Sequence, residues 1–438
     1  MTEHRSERLL HAETSILGNM SNSGGQTNGK LLVSRRAFLF GAAATGAVAV
    51  AGLGLTGCGA FGANDDSISY LKVPESSLTT LNDFEALESA EGKVQQVGNF
   101  EIPYGTLVWA NDDSVAACLL PTSSGSPLAQ VGLLSLGSGS LDMVLERALG
   151  ATERFEIYDV RATTSGLVWT EANILQGTWR VYTAKLAGTG IDGTPALVEE
   201  GNASYETPML AVSSNRAFWQ VVPKAPNDAN LTSRLMSATF GKNDASCIYE
   251  NARRMGTPPY SASDSVTIAP RLDEATTYYQ LTNVDAGSGS TEDTLTLPGG
   301  MTPLEAGYGK TGFMFSFSDI YNYGEGISNL GTYVPMSQPS GGDYSNVKWF
   351  GFARTPTAAP AWCNNLLIVK SSYSVCGVDL NERTYFALDV DNGADDYGEY
   401  LASSGMHGNF VTYSNIDHQP VDAAAIHCCR VKVWTTLN

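Results

Sequence analysis

A short apolar, β-rich core led in by a turn returns seven times along this 438-residue chain. The cores are Thr106-Leu107-Val108-Trp109, Gly166-Leu167-Val168-Trp169, Ala217-Phe218-Trp219, Val266-Thr267-Ile268, Phe313-Met314-Phe315, Leu366-Leu367-Ile368 and Phe410-Val411-Thr412. Their centres are 60, 50, 49, 47, 53 and 44 residues apart. Glycine, asparagine, aspartate or serine precedes each, as at Gly105, Asn215, Asp264, Gly312 and Asn364-Asn365. Such residues turn one strand back on the next. Most cores are followed by two more β-rich runs, for example 179–182 with 196–198 and 374–378 with 385–388. Long stretches of helical periodicity are missing. A period near 50 residues implies units that bury their faces against one another, not one ordinary core.

Four strands per unit of that length is the pattern of a propeller blade. The expected fold is therefore all-β: a β-propeller over residues 93–438, with seven four-stranded blades favoured and six or eight as alternatives. A pair of β-sandwiches with chance spacing is the competing architecture. The last unit, through Met406, Phe410-Val411 and residues 429–434, has only three strands. Residues 94–100 are expected to supply the fourth, so that N- and C-terminal strands close the ring and leave no open edge. That closure would bring Cys118 towards Cys428 or Cys429. The stretch Val378-Asp379-Leu380-Asn381-Glu382 resembles the strand–turn–strand of Tol-type (TolB-like) propellers. The resemblance covers about 93–438 and implies architecture only. Residues 59–92 are acidic and Ser-rich and are expected to form a tether, with a short helix over 81–90.

Ahead of the repeat stands an address. Residues 37–57 form an apolar run of 21 residues, long enough to span a bilayer. Five are Gly and seven are Ala. Only Phe38, Leu39, Phe40, Val48, Val50, Leu53 and Leu55 add much insertion free energy, and five glycines penalise a buried helix. Arg35 and Arg36 precede the run, as in an export signal. Ser34-Arg35-Arg36-Ala37-Phe38-Leu39 resembles the twin-arginine (Tat) motif, with Phe40 where that pattern often has Lys. Leu55-Thr56-Gly57-Cys58 resembles a lipobox. That resemblance implies cleavage before Cys58 and a diacylglycerol on its sulfur, two acyl chains that suffice for stable attachment. The expected division is a polar lead over 1–33, with Met20 as an alternative start, then a signal over 34–58. The expected location is the extracytoplasmic face of the cell membrane, and the Tat translocase is the expected partner during export.

The whole chain has 26 basic and 45 acidic residues. Residues 1–58 hold five and three of them, so the part after Cys58 has 21 against 42, a net charge of −21. Such a surface repels phosphate backbones and argues against nucleic acid as a partner. Six cysteines remain after Cys58. Cys363 and Cys376 fall in one predicted hairpin and are the candidate disulfide for an oxidising compartment. Tat export carries folded proteins, so any bridge would form only after the fold.

Motifs of chemistry are weak. His407, His418 and His427 crowd the last unit beside Cys428 and Cys429. They are weak metal candidates, but their spacings match no metal motif, and histidines in turns are favoured. Residues 389–396 with Glu399 form an acidic loop, but Gly393 stands at the fifth position of an EF-hand pattern that needs it at the sixth. Residues 385–393 resemble one quinoprotein blade, without its Trp. No G-x-S-x-G elbow, phosphate loop or H-E-x-x-H occurs. Trp109, Trp169 and Trp219 are expected in the core rather than as a sugar platform. No catalytic residue and no cofactor are expected. The expected function is a tethered module that binds an unidentified protein, peptide or glycan. The alternatives are a glycosidase- or lyase-type propeller enzyme, whose carboxylates would come from different blades, and a metal- or cofactor-carrying envelope protein.

Overall fold

The computed structural model describes residues 68–123, 127–225, 232–272, 277–317, 331–354, 357–420 and 424–437. The polar lead, the export motif, Cys58 and residues 59–67 lie outside the described residues. Apart from three single-turn 3₁₀ segments, every regular element described is a strand. The strands form an all-β propeller fold, and those described group into seven hydrogen-bonded sheets.

From first strand to last, sheet 1 holds Leu107–Trp109, Val115–Pro121, Ala129–Ser135 and Leu141–Leu145. Sheet 2 holds Glu156–Thr163, Gly166–Asn173, Thr178–Ala187 and Gly190–Gly201. Sheet 3 holds Met209–Ser213, Arg216–Val221, Ser233–Thr239 and Ser246–Asn251. Sheet 4 holds Tyr260–Ser261, Ser265–Ile268, Gln280–Asp285 and Thr291–Thr296. Sheet 5 holds Glu305–Gly309, Gly312–Phe317, Gly331–Pro335 and Trp349–Phe352. Sheet 6 holds Ala361–Cys363, Leu366–Lys370, Val375–Asp379 and Thr384–Ala387. Sheet 7 is made of Tyr400–Leu401, Asn409–His418, Ile426–Thr436 and, from the other end of the chain, Val94–Ile102. That last strand pairs antiparallel with Ile426–Thr436, from Val94 opposite Thr436 to Ile102 opposite Cys429. The two ends of the fold are thus sewn into one sheet.

Second strands are buried on both faces. Gly166–Asn173, Ser265–Ile268, Gly312–Phe317 and Leu366–Lys370 have no exposed residue. A strand buried on both faces reads as a continuous apolar run, which is why these strands carry the repeat signal. Six of the seven sequence cores are second strands. The first is not: Leu107–Trp109 opens sheet 1, and the buried run Val115–Pro121 is its second strand. The turn at Gly105 leads into a first strand, so the first spacing of 60 overstates the period. Met406 is a second correction. It lies in Gly405–His407, which pairs with sheet 6 rather than sheet 7.

Residues 68–92 are not a spacer. Leu71 and Val73 are buried with Phe313, Phe315 and Trp349 between sheets 4 and 5. Leu78–Thr80 adds to the outer edge of sheet 5, parallel to Trp349–Phe352. Glu85–Ala86 adds to the edge of sheet 6, parallel to Thr384–Ala387. The helix expected over 81–90 is one 3₁₀ turn, Leu81–Asp83, closed by a capping box between Thr80 and Asp83. The segment is a strap over two outer edges, which would otherwise present unpaired backbone.

Candidate functional site

Short connections join the last strand of one sheet to the first strand of the next. All first strands therefore begin at one end of the ring and finish at the other. First strands of neighbouring sheets approach one another around the centre.

At the finishing end the centre is crossed by the connection between the first two strands of sheet 7. Ser403 bridges Ala110 of sheet 1, and Asn111 Nδ2 donates to Ser404 Oγ at 2.6 Å. Gly405–His407 pairs parallel with Ala361–Cys363 of sheet 6. Gly405 N donates to the Tyr260 hydroxyl of sheet 4 at 2.7 Å, and Ser263 Oγ donates to Met406 O at 3.0 Å. The Tyr260 hydroxyl in turn donates to Pro360 O. One segment thus touches sheets 1, 4 and 6 and plugs the channel at this end. Gly405 has φ +83°, and a β-carbon there would lie 3.0 Å from Ser261 O. Only glycine takes that backbone at so close an approach without strain.

At the opposite end buried charges run across sheets 5, 6 and 7. Glu305 opens sheet 5; its Oε2 accepts from Arg354 Nη2 at 2.6 Å and from Ser316 Oγ at 3.0 Å. The side chains are 8% and 1% exposed, Arg354 being the more buried. Arg354 Nη2 also donates to Ala358 O on the way to sheet 6. Lys370 ends the second strand of sheet 6, 1% exposed. Its Nζ donates to Tyr397 O at 2.8 Å and Ser372 O at 3.2 Å. Burial, with the Arg354 charge adding to it, holds the ammonium down at about 8. Glu399, fully buried, accepts from Thr412 Oγ1 at 2.5 Å and lies 3.4 Å from Lys432 Nζ. Lys432 Nζ is also 3.0 Å from Asp391 Oδ2. Burial raises the Glu399 carboxyl, against the pull of Lys432 and Thr412. The acidic loop therefore serves internal ion pairing.

Lys370 gives a testable pH dependence. Its folded value of about 8 lies below the ordinary 10.5. Between those values the unfolded chain holds a proton that the folded chain has lost, so stability rises with pH. Below about 8 both states are charged and the contribution is flat. Lys370→Met should abolish a gain of up to about 3 kcal/mol across that window. The check is urea unfolding of wild type and variant at pH 7.5 and 10; equal changes in both would refute it.

The predicted site residues separate. His407 precedes the strand Asn409–His418 and His418 ends it, so they lie about 30 Å apart along that strand. His407 Nε2 contacts Ser404 O at 2.8 Å. His427 stacks on Tyr104 with centroids 4.2 Å apart and sits 3.6 Å from Asp417. The three do not form one ligand set. Among the described residues no group of three or more His, Cys, Asp or Glu is placed to hold a metal ion.

The pairing of Cys363 with Cys376 is corrected. All six described cysteines are free thiols. Cys363 and Cys376 lie on the first and third strands of sheet 6, with Leu366–Lys370 between them. Two strand spacings are about 10 Å, beyond the reach of a disulfide. They also face opposite sides, Cys363 packing with Ile368 and Cys376 with Val369. Cys118 and Cys429 do share one cluster, across the seam between sheets 1 and 7. Trp169 and Trp219 are fully buried, as expected of core. Trp109 is half-buried, and the Arg161 guanidinium carbon lies 4.3 Å from its ring centroid.

Sequence reasoning missed the buried charges. A signal was present in part: Lys370 ends the run Leu-Leu-Ile-Val, and Lys432 interrupts Arg-Val-Lys-Val-Trp. A cation inside an apolar strand requires a buried partner.

No family model and no curated protein matches the chain. Solved structures are similar in outline. A puromycin hydrolase shares 13% identity over 71% of this chain and 50% of its own, with TM-score 0.45. An oligogalacturonate lyase from Vibrio parahaemolyticus shares 9% over 78% and 98%, with TM-score 0.43. BamB from Moraxella catarrhalis shares 10% over 78% and 99%, with TM-score 0.38. The chain spans about half the length of the puromycin hydrolase chains it matches. Likeness at this level carries no argument about activity.

Proposed function

We propose that this chain is a lipid-anchored extracytoplasmic propeller, one blade per sheet and seven in all, that acts as a binding or scaffold module for a glycan, peptide or protein. The observation that carries the binding reading is the use made of the buried charges at the unplugged end. Glu305 is engaged by Arg354, Lys370 by two backbone carbonyls, and Glu399 by Thr412 and Lys432. These groups hold adjoining sheets together rather than converging on a shared substrate position. The membrane reading rests on Ser34, Arg35, Arg36, Phe38, Leu39 and Cys58.

The binding reading is tested by screening purified full-length protein on glycan and peptide arrays, with metal analysis and turnover assays on every hit. A saturable ligand that is released unchanged supports it. Stoichiometric metal, or cleavage of the bound ligand, would transfer the protein to one of the alternative classes. The address is tested separately. Cys58→Ala should move the protein from membrane to medium, and replacing Arg35 and Arg36 together by Lys should stop export. Retention of the first variant, or normal secretion of the second, refutes the corresponding half.

A further inference from the structure

Outside the channel, at the end where its first strand begins, sheet 2 carries a pocket of about 400 Å³. Its lining includes Glu153, Gln176, Thr178, Trp179, Arg180 and Glu200. Arg180 is fixed in place. Its Nη1 and Nη2 donate to Glu153 Oε1 and Oε2 at 3.0 and 2.8 Å, and its Nε lies 3.7 Å from Glu200 Oε2. Its guanidinium carbon sits 4.3 Å from the Phe155 ring centroid. Trp179 is 2% exposed and its indole N–H has no acceptor in the protein. The indole edge next to that N–H lies over Gly201, where a β-carbon would come within 2.1 Å of the ring. Gly201 is the ladder partner of Trp179 and itself lines the pocket. The Thr178 hydroxyl is also buried without a partner. Beside the pocket, on the turn after Asn173, Ile174 and Leu175 stand 63% and 88% exposed.

We propose that this pocket is a binding site for a neutral N-acetylated saccharide. It deepens the glycan branch of the function proposed above. The three charged groups sum to one negative charge, which disfavours phosphorylated, sulfated or acidic sugars. Sugar hydroxyls both donate and accept, which matches Glu200 and the Gln176 amide together. An acetamido carbonyl, directly or through one bridging water, gives the Trp179 N–H the acceptor it lacks. The acetamido methyl covers Leu175, an apolar side chain otherwise standing in water.

The test is calorimetric titration of the full-length protein with N,N′,N″-triacetylchitotriose and with cellotriose, which has the same backbone without acetamido groups. The acetylated sugar should bind about tenfold or more tightly than the plain one. Glu200→Gln and Leu175→Ser, both exposed enough to leave the fold intact, should each weaken it by about tenfold. Equal binding of the two sugars overturns the proposed specificity and with it the proposal. A glycan that binds wild type and both variants alike leaves the general reading standing and sinks this site alone. Failure of every glycan on the array sinks both.

Discussion

Arg354→Met should lower the unfolding free energy by about 3–5 kcal/mol, the usual consequence of leaving one member of a buried ion pair behind. The stranded group would be Glu305, at the start of sheet 5 and 8% exposed on its side chain. Ser316 Oγ alone would then face its Oε2. The loss should be largely recovered by adding Glu305→Gln, because a neutral amide keeps the Ser316 contact without an uncompensated charge. The comparison separates the pair from mere loss of volume at position 354. Arg354 also donates to Ala358 O, so a residual deficit of about 1 kcal/mol is expected in the double variant. Denaturant unfolding followed by tryptophan fluorescence reads all four corners of the cycle. A single variant within 1 kcal/mol of wild type, or a double variant no better than the single, would contradict the assignment.

The strap should prove nearly as costly to damage. Phe84 is 7% exposed and lies 4.9 Å from Phe350 between ring centroids, in the cluster that holds sheet 6 against sheet 5. Phe84→Ala removes that ring and leaves a cavity, with an expected cost of about 3–4 kcal/mol. The pairing of Glu85–Ala86 with Thr384–Ala387 is only two residues long, so it has little to hold it once the ring is gone. Limited proteolysis should therefore cut the variant first within residues 75–92, while the sheets beyond Val94 stay resistant. Wild-type protection of that segment in the variant would mean that Leu71 and Val73 alone anchor the strap.

The strands were legible in the chain because each sheet's burial is encoded locally. A second strand such as Gly312–Phe317 must be apolar on both faces wherever its neighbours lie, and the turn before it needs glycine or a short polar residue. The closing strand was legible for a related reason: a last unit with three strands demands a fourth, and residues 94–100 alternate suitably. The first unit went out of phase because Leu107–Trp109 is apolar and turn-led like a second strand, yet only three residues long. The three histidines looked like a cluster because spacing along the chain does not reveal which end of a ten-residue strand each occupies. Cys363 and Cys376 looked like hairpin partners because nothing local shows that an intervening strand separates them.

What the sequence determined by itself is the all-β character, the repeat near 50 residues and the join between chain ends. All of these follow from periodicity and turn chemistry within a few residues. Tertiary structure alone decided that residues 68–92 strap two outer edges, that Ser403–Gly408 stops the channel, and that Glu305, Arg354, Lys370, Glu399 and Lys432 meet across three sheets. Each depends on which free edge, hole or charge arrives beside a segment after the ring has closed. A polar, patternless stretch carries no record of that position.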